Sequence, residues 1–128
     1  MPYLVSNGKI VTLNGKIVLG NRVSLPGITL ITYYDNTEIG ILKSTDGGNN
    51  FIKDASMDYT IEYFTTISYD SNIEKILLGT SAGNVYFYDI NNGFDSSINV
   101  TSFPISDIKV SGSVRVAAEG FEGNIYPF

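Results

Sequence analysis

Short runs of β-branched and aromatic residues alternate with turn residues from the start of the chain. Asn-Gly and Gly-Asn pairs separate the early runs, and Asn-Gly supplies the positive φ angles that a tight hairpin turn requires. This pattern predicts a meander of short antiparallel strands. The predicted strands are Tyr3 to Val5, Ile10 to Leu13, Ile17 to Leu19 and Arg22 to Leu25.

The same alternation continues to the last residues of the chain. No ten-residue segment carries apolar residues at helical spacing without an intervening Gly, Asn or Pro. The fold class is therefore predicted to be all-β. The further strands are expected at Ile28 to Tyr34, Ile39 to Ser44, Phe51 to Asp54, within Tyr59 to Tyr69 with a break near Glu62, Lys75 to Thr80, Val85 to Asp89, Ile98 to Thr101, Asp107 to Val110, Val114 to Glu119 and Ile125 to Phe128, with a polar loop from Asn91 to Ser97.

A repeated sequence pattern indicates which all-β architecture the chain adopts. Gly83-Asn84-Val85-Tyr86 recurs 40 residues later as Gly123-Asn124-Ile125-Tyr126, and Leu42 to Gly47 aligns with Leu78 to Gly83 at an offset of 36 residues. Periods of about 40 residues, each with about four strands, are typical of β-propeller blades. The chain is thus predicted to hold about three blades, whereas closed propellers have about four to eight.

Two segments resemble known propeller repeats. Leu78 to Asp89 is similar to the second half of a WD40-type blade, with Tyr88-Asp89 where that family has Trp-Asp. The Gly-His dipeptide of that family is absent because the chain has no histidine. The internal hydrogen-bond network of the family is therefore not carried over to this chain.

The second segment, Ser44 to Phe51, resembles the Asp-box pattern Ser-x-Asp-x-Gly-x-Thr-Trp at Ser44, Asp46 and Gly48, with Phe51 in place of Trp. In such a turn the aspartate accepts backbone hydrogen bonds, glycine permits left-handed angles and the aromatic ring anchors the turn to the core. Similar boxes occur in sialidases and other propellers, away from the active centre. The resemblance implies a structural turn and a propeller fold.

The repeat also leads to an expectation about assembly. The last unit stops after its third predicted strand, and Tyr3 to Val5 or Ile10 to Leu13 are candidates for the outer strand. We predict one propeller-like domain over residues 1–128 that forms a homodimer, in which a second subunit completes the ring. Open blade faces and strand edges would otherwise favour aggregation. A compact four-bladed monomer is the alternative.

Composition narrows the function. The net charge is −5 with only eight Lys and Arg residues, none of them clustered, which argues against nucleic acid as a partner. His and Cys are absent, which excludes Ser-His-Asp, Cys-His and thiolate chemistry and an ordinary zinc site. No apolar run is long enough for a membrane helix, and the first residues do not form a signal peptide. A cytoplasmic location is expected.

The candidate sites have structural explanations as well. Asp46, Asp54 and Asp58, or the stretch Asp89 to Asp95, could ligate calcium, but turn capping is the preferred interpretation, and no metal or cofactor is predicted. Carboxylates for glycoside hydrolysis are present without a spacing that selects a pair, and two arginines are too few for a sialidase. A possible binding surface is predicted at the tyrosines Tyr33, Tyr34, Tyr86 and Tyr88.

These observations together predict a non-enzymatic propeller-type scaffold, or protein-interaction module, that oligomerises and binds an unidentified protein. The alternative is a small oligomeric lectin that binds a glycan through aromatic and Asn/Asp loops. A hydrolase is the least favoured of the three interpretations, because the chain lacks His and has few Arg residues.

Overall fold

The computed structural model describes residues 3–6, 9–13, 16–35, 37–58 and 62–128, with side chains from residue 22 onward. These residues form thirteen β-strands and no helix, which confirms the all-β prediction. Within them, accordingly, no helix exists that is long and apolar enough to cross a membrane. The predicted turns at Asn7-Gly8 and Asn14-Gly15, residue Asn36 of the next turn, and residues 59–61 lie outside the described part.

The chain divides into two compact units, Met1–Thr60 and Ile61–Phe128. The first unit contains one six-stranded antiparallel sheet, sheet A, whose strands follow the order of the chain. Its strands are β1 (Tyr3–Ser6), β2 (Lys9–Leu13), β3 (Lys16–Leu25), β4 (Ile28–Tyr34), β5 (Glu38–Ser44) and β6 (Ile52–Asp58). The predicted N-terminal meander is present.

Three predictions about sheet A need correction. The runs Ile17 to Leu19 and Arg22 to Leu25 form one strand, β3, because Gly20-Asn21 makes a register shift against β4 instead of a turn. The strand predicted at Phe51 to Asp54 starts at Ile52 and continues to Asp58, since Ala55 to Asp58 also pairs with β5. Strands β1 and β2, considered as an outer strand for the last unit, instead extend the first sheet next to β3.

The core of the first unit lies on β4 and β5. Apolar residues on both faces of these strands are buried, with Leu30, Ile39 and Ile41 no more than 1% exposed. This matches the near-continuous apolar runs of the two segments, because a strand covered on both sides has no solvated face. A separate cluster joins Ile31, Tyr33, Leu42 and Phe51.

The second unit contains two antiparallel sheets. Sheet B has four strands in the order β10-β9-β8-β7, and sheet C has three in the order β11-β12-β13. Each sheet is thus a simple meander, as the blade repeat predicts. The strands are β7 (Phe64–Asp70), β8 (Lys75–Thr80), β9 (Asn84–Asp89), β10 (Gly93–Asn99), β11 (Ile105–Ser111), β12 (Val114–Glu119) and β13 (Ile125–Pro127).

Strand β10 corrects the predicted polar loop. Gly93–Asn99 pairs with β9, although Asn91 to Ser97 was expected to be a loop and Ile98 to Thr101 a strand. The segment is polar because it is the edge strand of sheet B and most of its side chains are exposed. An edge strand with polar side chains has little of the apolar alternation on which strand prediction depends.

Sheets B and C pack through a common apolar core. Leu77 and Val85 of sheet B contact Ile105, Ile108 and Ala117 of sheet C. Gly79 lies so close to Ile105 and Thr66 that a Cβ at this position would overlap their side chains. The two sheets therefore approach each other closely where β8 passes β11.

Polar links also join sheets B and C. Asp70, at the end of β7 and fully buried, forms an ion pair with Arg115 on β12. The Asn72 side-chain amide donates to the carbonyl of Gly112, and the Thr65 hydroxyl donates to the carbonyl of Ile105. The Asp70 and Asn72 contacts hold the β7–β8 and β11–β12 turns side by side, and the Thr65 bond joins the starts of β7 and β11.

Candidate functional site

The predicted Asp-box segment forms a folded turn between β5 and β6. The Ser44 hydroxyl accepts the N–H of Gly48 at 2.9 Å and donates its proton to the Asp46 carboxylate at 2.7 Å. The Asp46 carboxylate also accepts the backbone N–H of Asn50 at 2.9 Å and its side-chain amide at 2.8 Å. Ser44 and Asp46 thus hold the turn from within.

Charge, backbone angles and packing agree with a structural role for this turn. The Asn50 backbone N–H, followed by the Asn50 side chain and the Ser44 hydroxyl, lowers the pKa of Asp46 to about 2. Gly47 and Gly48 have φ angles of 76° and 93°, which side chains other than glycine rarely adopt. Phe51 is only 7% exposed and packs in the core cluster of the first unit.

A second network stabilises the equivalent turn in sheet B. The Thr80 hydroxyl oxygen accepts the N–H groups of Ala82 and Asn84, each at 3.2 Å, and its proton is donated to Glu62 at 2.8 Å. Glu62 also accepts the Asn84 side-chain amide and the Tyr86 hydroxyl, both at 3.0 Å. Sequence analysis treated Glu62 as a strand break and as one of several carboxylates considered for glycoside hydrolysis. Its role in this turn was missed because its partners lie 18 to 24 residues away.

The third turn, between β12 and β13, uses a buried carboxylate. Glu119 is 1% exposed and accepts the N–H groups of Phe121 and Glu122 at 2.9 Å and of Asn124 at 2.8 Å. The Glu122 N–H is the main cause that lowers the pKa of Glu119, while burial opposes the shift. All three sheets therefore have, at a strand end, an oxygen acceptor that fixes the following turn.

The predicted tyrosine surface is wrong for two of its four residues. Tyr33 is fully buried and Tyr88 is 1% exposed, because both side chains point into the interior from central strands. Tyr34 and Tyr86 are half-buried. The Tyr86 ring packs edge-on against Phe64 at 5.8 Å, and burial, with the bond to Glu62, raises the pKa of its hydroxyl. The four side chains do not form one exposed site.

Asp54 and Asp89, two of the carboxylates considered for calcium, are engaged with protein groups. Asp54 forms an ion pair with Lys43 at 3.1 Å. Asp89 accepts the N–H groups of Asn91 and Asn92 and pairs with Lys75 at 3.0 Å. These interactions are turn capping and ion pairing.

An exposed apolar surface lies on sheet C. Residues that face each other across antiparallel strands share one side of a sheet, and Ala118 pairs with Ile125 while Val116 pairs with Pro127. The opposite side, which includes Ala117 and Ile108, packs on sheet B. We call the other side the outer face of sheet C. It consists of Val114, Val116, Ala118, Ile125 and Pro127.

Two large apolar side chains of the outer face are more than half exposed. Val114 is 58% exposed and Ile125 is 66% exposed. The charged pair Asp107 and Lys109 lies on the same side, 3.5 Å apart, and pairs in register with Ala118 and Val116. Sequence analysis could have found this face, because Val114, Val116 and Ala118 alternate with residues of the buried side.

These meander sheets define an all-β protein built from propeller-type blades. The chain is similar to a propeller protein of the WD40 type in the crystal structure of a mitotic checkpoint complex, with a TM-score of 0.58 and 11% sequence identity. The match covers 72% of this chain and 28% of that chain. No family model and no curated protein matches the sequence. The resemblance to propeller repeats holds for the fold, and membership of an Asp-box family stays a prediction.

Proposed function

We propose that this protein is a non-enzymatic propeller-type scaffold that self-associates and presents its surface to a protein partner. The outer face of sheet C is the observation that supports this proposal. In a monomer, Val114 (58% exposed) and Ile125 (66% exposed) lie near opposite ends of this face, with Val116, Ala118 and Pro127 between them, so an apolar sheet face is left in water. Exposed apolar patches of this kind usually mark interaction sites.

A second copy of the chain is the occupant that we propose for this face, and it would complete the ring. The buried side of sheet C already packs against another blade-type sheet, sheet B. Two chains with a net charge of −5 repel each other. Contact through the outer face adds no local repulsion, because Asp107 and Lys109 on the same side of sheet C have opposite charges.

The hydrogen bonds and pKa values of the carboxylates support the proposal that the protein has no catalytic activity. Asp46, Glu62 and Glu119 each accept several hydrogen bonds from their own or a neighbouring turn. The pKa values of Asp46 and Glu119 are lowered, so both are ionised at neutral pH and are poor general acids. The absence of His and Cys from the sequence also removes Ser-His-Asp, Cys-His and thiolate catalysis.

The test is the molar mass in solution, measured by light scattering on a sizing column over a range of concentrations. We expect a dimer for the native chain. Ile125→Glu should weaken the association by about a hundredfold, because an unpaired carboxylate would be buried at the contact. Ile98→Glu is the matched control, since Ile98 is 44% exposed on β10 and lies outside the outer face.

A native chain that stays monomeric at all concentrations would overturn the proposed self-association. Equal dissociation constants for the Ile125 and Ile98 variants would show that the contact lies elsewhere. Saccharide binding on a glycan array would replace the scaffold with the lectin alternative, which no observation on the described residues favours at present.

A further inference from the structure

A small pocket opens at one end of sheet B, between the β7–β8 turn and the β9–β10 turn. Its volume is about 300 Å³. Tyr69, Ile73 and Ile90 provide apolar contact area, and Glu74, Lys75 and Asp89 provide charges. This volume is at the lower end of the range for ligand pockets, about 300–1,000 Å³, so it suits a single side chain or a small molecule.

The charges of the pocket favour a cation over an anion. The Lys75 ammonium lies 3.0 Å from Asp89 and 3.0 Å from Asp95, and these carboxylates raise its pKa. Lys75 is therefore already paired with two carboxylates and is not available to an anionic ligand. The Glu74 carboxylate, in contrast, has no ion pair or hydrogen bond with any described residue.

Glu74 also has an unfavourable backbone conformation. Its φ angle is 54°, and it is the one non-glycine residue with a positive φ in the described part of the chain. The left-handed region costs an L-residue roughly 1–2 kcal/mol, which glycine would avoid. Strained residues at the rim of a pocket are often found where a ligand is held. A glutamate at this turn position is thus unexplained by local stability.

We propose that this pocket binds an organic cation, an alkylammonium or guanidinium group on an apolar stem. Glu74 pairs with the cationic group, and Ile73 and Ile90 contact the stem. The Tyr69 ring adds an aromatic surface, which attracts cations. This site is separate from the outer face of sheet C and does not depend on self-association.

The experiment is an NMR titration of the full chain with n-butylammonium, n-butylguanidinium and the neutral n-butanol. We expect saturable shifts of the amide signals of residues 73–75 and 89–91 with the two cations. Glu74→Gln should weaken binding by about fivefold, the upper value for an exposed ion pair. Glu122→Gln removes the charge of another exposed glutamate at a different turn and should leave binding unchanged.

Binding of n-butanol equal to that of the cations, or an unchanged affinity in Glu74→Gln, would overturn the proposal. Titration with the methylamides of Nα-acetyl-lysine and Nα-acetyl-arginine then identifies the source of the cation. Binding comparable to the free cations assigns the pocket to a side chain of a protein partner. Weaker binding of both methylamides assigns it to a free amine or guanidine.

Discussion

At the scale of single residues, a few oxygen acceptors determine the form of the turns. Ser44, Thr80 and Glu119 occupy strand ends and accept N–H groups from two to five residues further on. Such bonds satisfy backbone donors that neither sheet partner can reach. The residue type varies between a hydroxyl and a carboxylate, but the bonds made to the turn are alike.

Asp46 should make stability depend on pH in the acid range. Its folded pKa of about 2 lies below the usual value, so its stabilising effect is present above about pH 4 and is lost as the pH falls toward 2. We expect Asp46→Ala to lower the melting temperature most at pH 6 and less at each step toward pH 2. Thermal unfolding followed by circular dichroism measures this difference.

The control for this prediction is Asp58→Ala, because Asp58 is an exposed aspartate on β6. Its melting temperature should follow that of the native chain at every pH. If the Asp46 variant were equally destabilised at pH 2 and pH 6, the ionised carboxylate would not be what stabilises the turn.

At the scale of elements, the repeat glycines Gly83 and Gly123 show how similar hairpins meet different neighbours. Both have positive φ angles, 81° and 77°. A Cβ on Gly83 would overlap the carbonyl of Thr101, whereas a Cβ on Gly123 would have no atom within 4 Å. The carbonyl of Gly83 also accepts the N–H of Val100 at 2.9 Å. Gly83 therefore forms the β8–β9 turn and also packs against the segment that connects β10 to β11.

Alanine substitutions at these two glycines should separate strain from close packing. Gly123→Ala should cost about 1–2 kcal/mol, the penalty of a left-handed angle for an L-residue. Gly83→Ala should cost at least about 2 kcal/mol more, because the link near Thr101 must also move. Chemical unfolding of both variants measures the two values. Equal losses of stability in the two variants would mean that the close approach of Gly83 to Thr101 does not contribute to the cost.

The sequence predicts strands well where the apolar pattern is strong. It predicts them poorly where pairing with a neighbouring strand determines the conformation. Strands β8 and β12 are recovered at their observed limits, because their residues alternate or are covered on both faces. The polar strand β10 was missed, because pairing with β9 and not burial makes it a strand. Among the site residues, the turn that starts at Ser44 can be predicted from eight consecutive residues. The role of Glu62 cannot, because its hydrogen-bond partners are distant in the sequence and only the fold brings them near.

At the scale of the whole molecule, the stacking of sheets B and C combines an apolar core with one buried charge. Burial of Asp70 opposes its ionisation, but Arg115 and the Asn72 N–H overcome this and hold the pKa of the carboxyl below its usual value. Arg115 lies 45 residues away in the sequence. No local pattern could have predicted this pair.

Arg115→Met should therefore destabilise the second unit by about 2–4 kcal/mol, because Asp70 remains buried without its partner charge. The loss should be smaller in acid, where protonation of Asp70 removes the unpaired charge. Urea unfolding at pH 7 and pH 3 measures both values.

Lys53→Met is the control, since Lys53 is half-exposed and pairs with Glu38 at 3.3 Å. It should change stability by less than about 1 kcal/mol, as expected for an exposed ion pair. An equally small effect of Arg115→Met would contradict a structural role for the Asp70 pair.

The two sides of β12 also limit how the chain tolerates insertions and deletions. Ala117 and its neighbours of the same parity face sheet B, while Val114, Val116 and Ala118 face outward. Adding or removing one residue inside β12 would exchange the two sets, because strand side chains alternate with a period of two. Length changes inside β12 should therefore be poorly tolerated, since they would move Ala117 out of the core that it shares with sheet B.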